Sequence, residues 1–380
     1  MPDRRHLLGV LVYNGRGVVP RCLESAAQLV SPNVDIAVFD DCSPSEGWSA
    51  EVEHLCRSLG ISYYRTPRNL GIPRNMSLAM RTGVAGGYDV VGLVNSDVVL
   101  PTNLVQATDA ILELESHIGS ITPWSNNVSA FSLPMQGATP AIADLAFVSH
   151  LSTALWEVNG ASVVDVPTGV GYCLMIPTAA IRAIGVMDPI FGRGYCEEVD
   201  WCQRAGLAGY RNVLSLGNYV YHEGSGTNVD EGLLAHGMTT ITEHEMIVQN
   251  RYPDYMQRVA AFFLDPAFGR HGMDSLRSAL LSMVGGSGYD LVFGGISPQS
   301  LKASYVLSLS AQGRRLGSLR VNGLEIEVAA PIDPDALVAA FGKPLTVTVA
   351  EPGTTGSVFA EWAALEGIPV SEYLGYPVRL

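Results

Sequence analysis

The sequence predicts an α/β protein: a parallel sheet flanked by helices, followed by a smaller α/β domain. Three observations predict it. Unbroken apolar stretches such as Leu7–Val12 and Val34–Phe39 fit strands buried on both faces. Segments with helical spacing lie between them on short loops, the pattern of parallel β-α-β units. Acidic residues cluster where strands stop, at Asp40-Asp41 and Asp97, and open sheets of this kind bind ligands beyond the carboxyl ends of their strands.

Taken in order, Leu7–Val12 is the first strand. Val18–Leu29 is a helix with Pro20 near its start, and Val34–Phe39 is the second strand. Glu51–Leu59 reads as a helix stopped by Gly60, Ile61–Arg65 as a strand, Gly71–Ala85 as a helix and Val90–Val94 as a fourth strand. Ile121–Pro134, rich in Pro, Ser and Asn, reads as a loop crossing the sheet. Val163–Ile176 has strand character around Gly169 and Gly171, Glu197–Ala205 is a short helix, and Tyr219–His222 ends a strand. Leu233–Gln249 and Tyr255–Phe263 suggest helices, with a break between Phe268 and Ser275. The domains are therefore expected at 1–270 and 276–380. Tyr289–Phe293, Ala303–Ser310, Leu316–Val321, Leu345–Val349 and Phe359–Leu365 supply the elements of the second.

The 380 residues are 47% apolar and 16% charged, enough for a substantial core. A net charge of −14 disfavours nucleic acid and anionic membrane as partners. Cys22, Cys42, Cys56, Cys173, Cys196 and Cys202 form no C-x-x-C pair, so zinc-ribbon and thioredoxin-type chemistry is excluded and reduced thiols are expected. The apolar run at Leu7–Val12 is too short for a signal peptide, and no run reaches membrane length, so the expectation is a cytoplasmic protein without an integral membrane segment.

Three constellations carry chemistry. Asn95-Ser96-Asp97, ending a strand, puts a carboxylate where it could hold a divalent cation that bridges two phosphates; the alternative is a turn cap before Pro101. Glu197, Glu198 and Asp200 follow the glycine-bearing loop Phe191-Gly192-Arg193-Gly194. Acids this close raise one another's pKa, as a general base near neutral pH requires; equally, they suit a helix start with Arg204 pairing back to Asp200. His222, after a strand and before Gly224, is a candidate metal ligand or an ordinary surface residue.

These pieces occur together in one order. Tyr13-Asn14, Asp40-Asp41-x-Ser, Asn69-Leu70-Gly71 with Arg74-Asn75, Asn95-Ser96-Asp97, Thr168–Cys173, Phe191–Asp200 and Tyr221-His222 span residues 6–225. Their succession resembles the family 2 glycosyltransferases of GT-A fold, with rhamnosyltransferase-like enzymes as the nearest subgroup. The resemblance implies an inverting transfer of a sugar from a nucleoside diphosphate to an acceptor hydroxyl of a polysaccharide, glycan or natural product. It places Tyr13, Asn14, Asp40, Asp41, Asn69, Arg74, Asn95 and Ser96 around the donor nucleotide. Asp97 and His222 would hold Mg²⁺ or Mn²⁺, and Glu198 would be the base, with Asp200 as rival. Two positions depart from the family pattern, which more often has Asp at Asn95 and at Glu198.

Trp124, Asn126, Gly169, Gly171 and Glu197 are expected near the sugar or acceptor, Trp124 as a ring platform and the glycines as points of close approach. Trp124 as a loop anchor and the glycines as turn residues are equally good readings. His236, His244 and Glu245 either border the acceptor entrance or lie on a helix surface. The second domain carries no catalytic cluster, and its Gly285–Gly288 run does not open a helix after a strand, which rejects a nicotinamide site. Acceptor recognition, docking to a partner enzyme or a homodimer contact are its expected uses. Two rivals remain: a catalytically weak carbohydrate-binding scaffold, and a sugar nucleotidyltransferase. The second is disfavoured because Gly15-Arg16-Gly17 lacks a triphosphate-gripping Lys.

Overall fold

The computed structural model describes residues 4–128, 130–133, 144–224, 234–235, 238–239, 242–294, 305–309, 316–321, 324–329, 333–350 and 353–372. They fall into two compact units, the first running through residue 273 and the second from residue 274 onward.

In the first unit the strands are β1 (His6–Val12), β2 (Val34–Asp40), β3 (Ser62–Arg65), β4 (Val90–Asn95), β5 (Val98–Val99), β6 (Ile118–Trp124), β7 (Val163–Asp165), β8 (Cys173–Pro177), β9 (Arg211–Tyr219) and β10 (Tyr221–His222). Helices α1 (Val19–Ala27), α2 (Trp48–Leu59), α3 (Ile72–Ala85), α4 (Leu104–Leu114), α5 (Leu145–Asn159), α6 (Thr178–Ile184), α7 (Glu197–Leu207) and α8 (Thr242–Arg251) join and cover them. The main sheet has the order β3-β2-β1-β4-β8-β6-β9-β7. β1 pairs in parallel with β2 and β4, whereas β8 runs antiparallel to β4 and β6, and β7 antiparallel to β9. The α/β architecture expected from the sequence is what forms.

Alternation explains the layers. Leu8, Val10 and Val12 enter the core on one sheet face with α1 and α2, while Leu7, Phe39, Val91 and Leu93 enter the other with α3 and α6. Because β1, β2, β4 and β6 share a direction, Asn14, Asp41, Asp97 and Trp124 all leave the sheet at its carboxyl edge. The start of antiparallel β8 lies there too: the Asn95 N–H donates to the Tyr172 carbonyl at 2.9 Å.

Three local expectations need correction. Ile118–Trp124 is a strand with every residue buried, where a loop was expected from Ile121. Its polar side chains are satisfied from afar, Ser120 donating to Asn212 Oδ1 and Thr122 Oγ1 accepting the Val170 N–H, and Pro123 sits where the ladder with β9 shifts register. The Val163–Ile176 stretch is two strands, with Gly169 and Gly171 in the loop between. In Leu233–Gln249 the helix begins only at Thr242; Leu234–Ala235 and Met238–Thr239 pair antiparallel, and the remaining positions before Thr242 lie outside the described residues. The two units divide between residues 273 and 274, within the interval 268–275 where a break was expected, and the chain there is helical, Pro266–Ser287.

The second unit forms a six-stranded sheet among the described residues. Asp290–Phe293 pairs in parallel with Tyr305–Leu309 and Thr346–Val349, an antiparallel Leu316–Val321 and Leu324–Ala329 lie on one edge, and Val370–Glu372 on the other. Helices Pro334–Phe341 and Thr354–Leu365 complete it. No helix of the described residues is long and apolar enough to cross a membrane. All six cysteines are unpaired.

Candidate active site

The Asp40-Asp41 pair ends β2, and its carboxylates are spent on the protein's own loops. Asp40 is fully buried and accepts from the Ser43 N–H and hydroxyl, the Ser49 hydroxyl and the Tyr63 hydroxyl. Burial pushes its pKa up, but these four donors hold it below the usual carboxylate value. Asp41 accepts the N–H groups of Leu70 and Gly71 and the Thr66 hydroxyl. Both acids thus anchor the protein's own loops. Asn14 and Asn69 are engaged likewise: Asn14 Oδ1 accepts from Ser45, its carbonyl accepts from Trp48 Nε1, and Asn69 Oδ1 accepts the Gly71 N–H. Tyr13, Asn95 and Ser96 are half-buried, and exposed Arg74 donates from Nη1 to the Leu70 carbonyl at 3.4 Å.

Asp97 and His222 come together. Asp97 Oδ1 lies 3.4 Å from His222 Nε2. On its far side, His222 Nδ1 is 2.9 Å from the Asn127 carbonyl, which directs Nε2 toward the carboxylate. Asn126 donates from Nδ2 to the His222 carbonyl and accepts the His222 N–H at 2.7 Å. Asn126 is therefore a clasp on the histidine backbone, not a sugar contact. Burial pulls the imidazole pKa down, but the hydrogen bond and charge of Asp97 more than reverse it. Burial pushes Asp97 up, and the same partner brings it below the ordinary value. Among the described residues no group of three or more His, Cys, Asp and Glu converges as a metal cage. One carboxylate oxygen and one imidazole nitrogen do converge. That donor pair could serve a divalent cation, which would need further oxygens from elsewhere to complete its coordination.

Glu197 and Glu198 open α7, where the helix dipole favours their charge. Desolvation wins. Burial lifts Glu197 well above the ordinary carboxylate range, with the charge of Glu198 adding to it. Burial also raises Glu198, against backbone N–H donors that include Gly171. Each has a buried Oε2 with no hydrogen-bond partner. Gly171 flanks Glu198: a Cβ there would stand 3.8 Å from the Glu198 carboxyl carbon. Its neighbour Tyr172 accepts from the Asn95 N–H, so Glu198 and Asp97 belong to one edge of the sheet. Asp200 points elsewhere. It is fully buried and bonded to Arg204 at 2.9 Å, Arg251 at 2.7 Å and the Tyr252 hydroxyl at 2.8 Å. A carboxylate whose oxygens are spent on Arg204, Arg251 and Tyr252 holds a helix in place, which corrects its place as rival base.

Two sugar-contact expectations also fail. Trp124 is 1% exposed and stacks on Phe268 at 5.4 Å, so it is a core anchor. Gly169 is small for packing: a Cβ would lie 2.4 Å from Leu174 Cδ1. Sequence reading missed the parts played by Tyr172, Thr66, Asn127 and Arg251. Of these, Thr66 and Asn127 adjoin motifs already singled out, which was the one available signal. His244 is half-buried, with Nδ1 3.0 Å from the Gly194 carbonyl, and Glu245 is exposed on α8. His236 lies outside the described residues.

Residues 8–121 match the family model Glycosyl transferase family 2, the family that the motif order resembles. The match does not specify a rhamnosyltransferase-like subgroup. Among solved structures the chain is similar to GalNAc-T7 with UDP, GalNAc and Mn²⁺ (13% identity, TM-score 0.45, 58% of this chain and 44% of that one). It is also similar to the mannosyltransferase PcManGT from Pyrobaculum calidifontis in complex with GDP-Man and Mn²⁺ (13%, 0.44, 73% and 86%). A third is S. aureus TarS 1-349 in complex with UDP-GlcNAc (14%, 0.44, 73% and 81%). The chain thus spans less than half the length of the first. No curated protein sequence matches it.

Proposed function

We propose that this chain is an inverting glycosyltransferase, moving a sugar from a nucleoside diphosphate to an acceptor hydroxyl of a polysaccharide, glycan or natural product. One observation carries the reading: Glu198, a carboxylate with raised pKa and an unpartnered oxygen, shares a sheet edge with the Asp97–His222 pair. In this reading Glu198, once ionised, accepts the proton of the acceptor hydroxyl as it attacks, help worth on the order of 10²–10⁴-fold. Attack from the face opposite the leaving diphosphate inverts the anomeric centre. Asp97 and His222 would hold a divalent cation, which when bound neutralises charge on the departing diphosphate. Tyr13, Asn95, Ser96 and Arg74 would contact the nucleotide, and the Gly171 N–H fixes the Glu198 carboxylate. Glu197, its deeply buried neighbour, has its carboxyl pKa raised by burial and by the charge of Glu198.

The test is a panel of nucleotide sugars followed by Glu198→Gln. The variant should bind donor as the unaltered chain does and lose transfer; unchanged turnover removes Glu198 from the role. In parallel, thermal shift with UDP or GDP, with and without Mn²⁺, should show a metal-dependent rise that His222→Gln abolishes.

A further inference from the structure

The segment leading into Glu197 and Glu198 has an unrelaxed backbone. Gly192, Gly194, Tyr195 and Cys196 all have positive φ, at 51°, 134°, 71° and 73°. For the two non-glycine residues such a conformation is sterically unfavourable. It persists only where the surroundings over-determine it.

Helix α8 supplies the constraint. A single nitrogen, Arg251 Nη1, lies 2.9 Å from Asp188 Oδ2, before the loop, and 2.7 Å from Asp200 Oδ1, in the first turn of α7 after it. Between these ends His244 Nδ1 lies 3.0 Å from the Gly194 carbonyl, and its ring meets Phe191 edge-on at 5.4 Å. Val248 and Tyr252 bury against Phe191. Asp200 keeps Arg204 and Tyr252 as partners without Arg251, so α7 itself does not depend on this guanidinium. What depends on it is the tie between the two ends of the loop.

We propose that Arg251 is a positioning residue for the proton-accepting Glu198: by bridging Asp188 and Asp200 it closes the base-bearing loop, whose middle His244 holds. The proposal rests on the reading that Glu198 takes the acceptor's proton. Asp188 Oδ1 separately caps the short helix that begins the loop, accepting the Ile190 N–H at 2.9 Å, so Asp188→Asn can drop the bridge and keep the cap.

The test compares Arg251→Met, Asp188→Asn, the double variant and Glu198→Gln, with UDP-glucose, UDP-N-acetylglucosamine, GDP-mannose and TDP-rhamnose as donors. Both single variants should lose about tenfold to a hundredfold in kcat, since a misplacement of about 1 Å costs that much, with donor KM within about twofold. The double variant should be no worse than the poorer single one, because both remove the same bridge. Amide exchange at residues 192–198 should quicken in both singles while the β1–β4 amides stay protected. Additive losses, a matching rise in donor KM, or unchanged exchange and kcat overturn the proposal. If Glu198→Gln loses transfer while Arg251→Met and Asp188→Asn keep it, only the positioning role falls. If Glu198→Gln keeps transfer, or no donor is turned over, the reading of Glu198 falls and the proposal with it.

Discussion

Gly71→Ala tests how closely the donor loop and the base loop depend on each other. Gly71 has φ 81° and ψ 156°, a region essentially closed to residues with a Cβ, and forcing a side chain there costs about 1–3 kcal/mol. The added methyl would also stand 2.1 Å from the Gly192 carbonyl oxygen and 3.2 Å from Arg193 Cα. Contacts of a Cβ under 3.0 Å essentially never occur, so the two backbones must part by about 1 Å. Backbone atoms cannot rotate away as a flexible side chain would. The parting moves the segment that carries Glu198, and a shift of that size is worth on the order of 10²-fold in rate. Gly60→Ala is the matched control, with φ 71° and nothing within 4 Å of the added Cβ. It should cost about 1–2 kcal/mol in melting experiments and leave kcat alone. Measured side by side by thermal denaturation and donor turnover, Gly71→Ala should lose activity far beyond its loss of stability. Equal kcat in the two variants would refute the idea that this backbone contact sets the base.

Other outcomes follow from the same geometry. Turnover should rise with pH along a limb displaced above the ordinary carboxylate range, because Glu198 accepts a proton only when ionised and burial raises its pKa; a limb at the ordinary Glu value contradicts this. Glu197, raised well above the ordinary range, stabilises the fold below its unfolded pKa and loses that contribution as pH climbs through the folded one, so Glu197→Gln should raise the melting temperature increasingly as pH rises above the ordinary carboxylate range. Trp124→Ala should cost about 3–5 kcal/mol and leave donor KM unchanged, whereas a sugar platform would raise KM at little cost in stability. Asn126→Ala should weaken Mn²⁺-dependent stabilisation by UDP, read by thermal shift, by freeing the His222 backbone.

The sheet was legible wherever burial was complete on both faces, as in β1, β2 and β4, because apolar runs declare themselves without knowledge of their neighbours. β6 was not legible. Its Ser120 and Thr122 read as loop residues until Asn212 and Val170 are placed beside them, and those partners are remote in sequence. The site divides in the same way. Asp97, His222 and Glu198 could be picked from local motifs, since each stands at a strand end or helix start. That Asp200 is locked by Arg251, that Trp124 is covered by Phe268, and that Asn126 serves the His222 backbone are facts of tertiary pairing. Composition does not carry them.

The adjacent acids Asp40 and Asp41 hold two different pieces of floor, one fastening Ser43, Ser49 and Tyr63, the other fastening Thr66, Leu70 and Gly71. Anyone wishing to retarget this protein toward another nucleotide should therefore leave that doublet untouched, however much it looks like a recognition motif. Altering it would unseat both neighbouring stretches at once. In the proposed reading, variation belongs at Tyr13 and Ser96, the nucleotide contacts that lie outside both stretches.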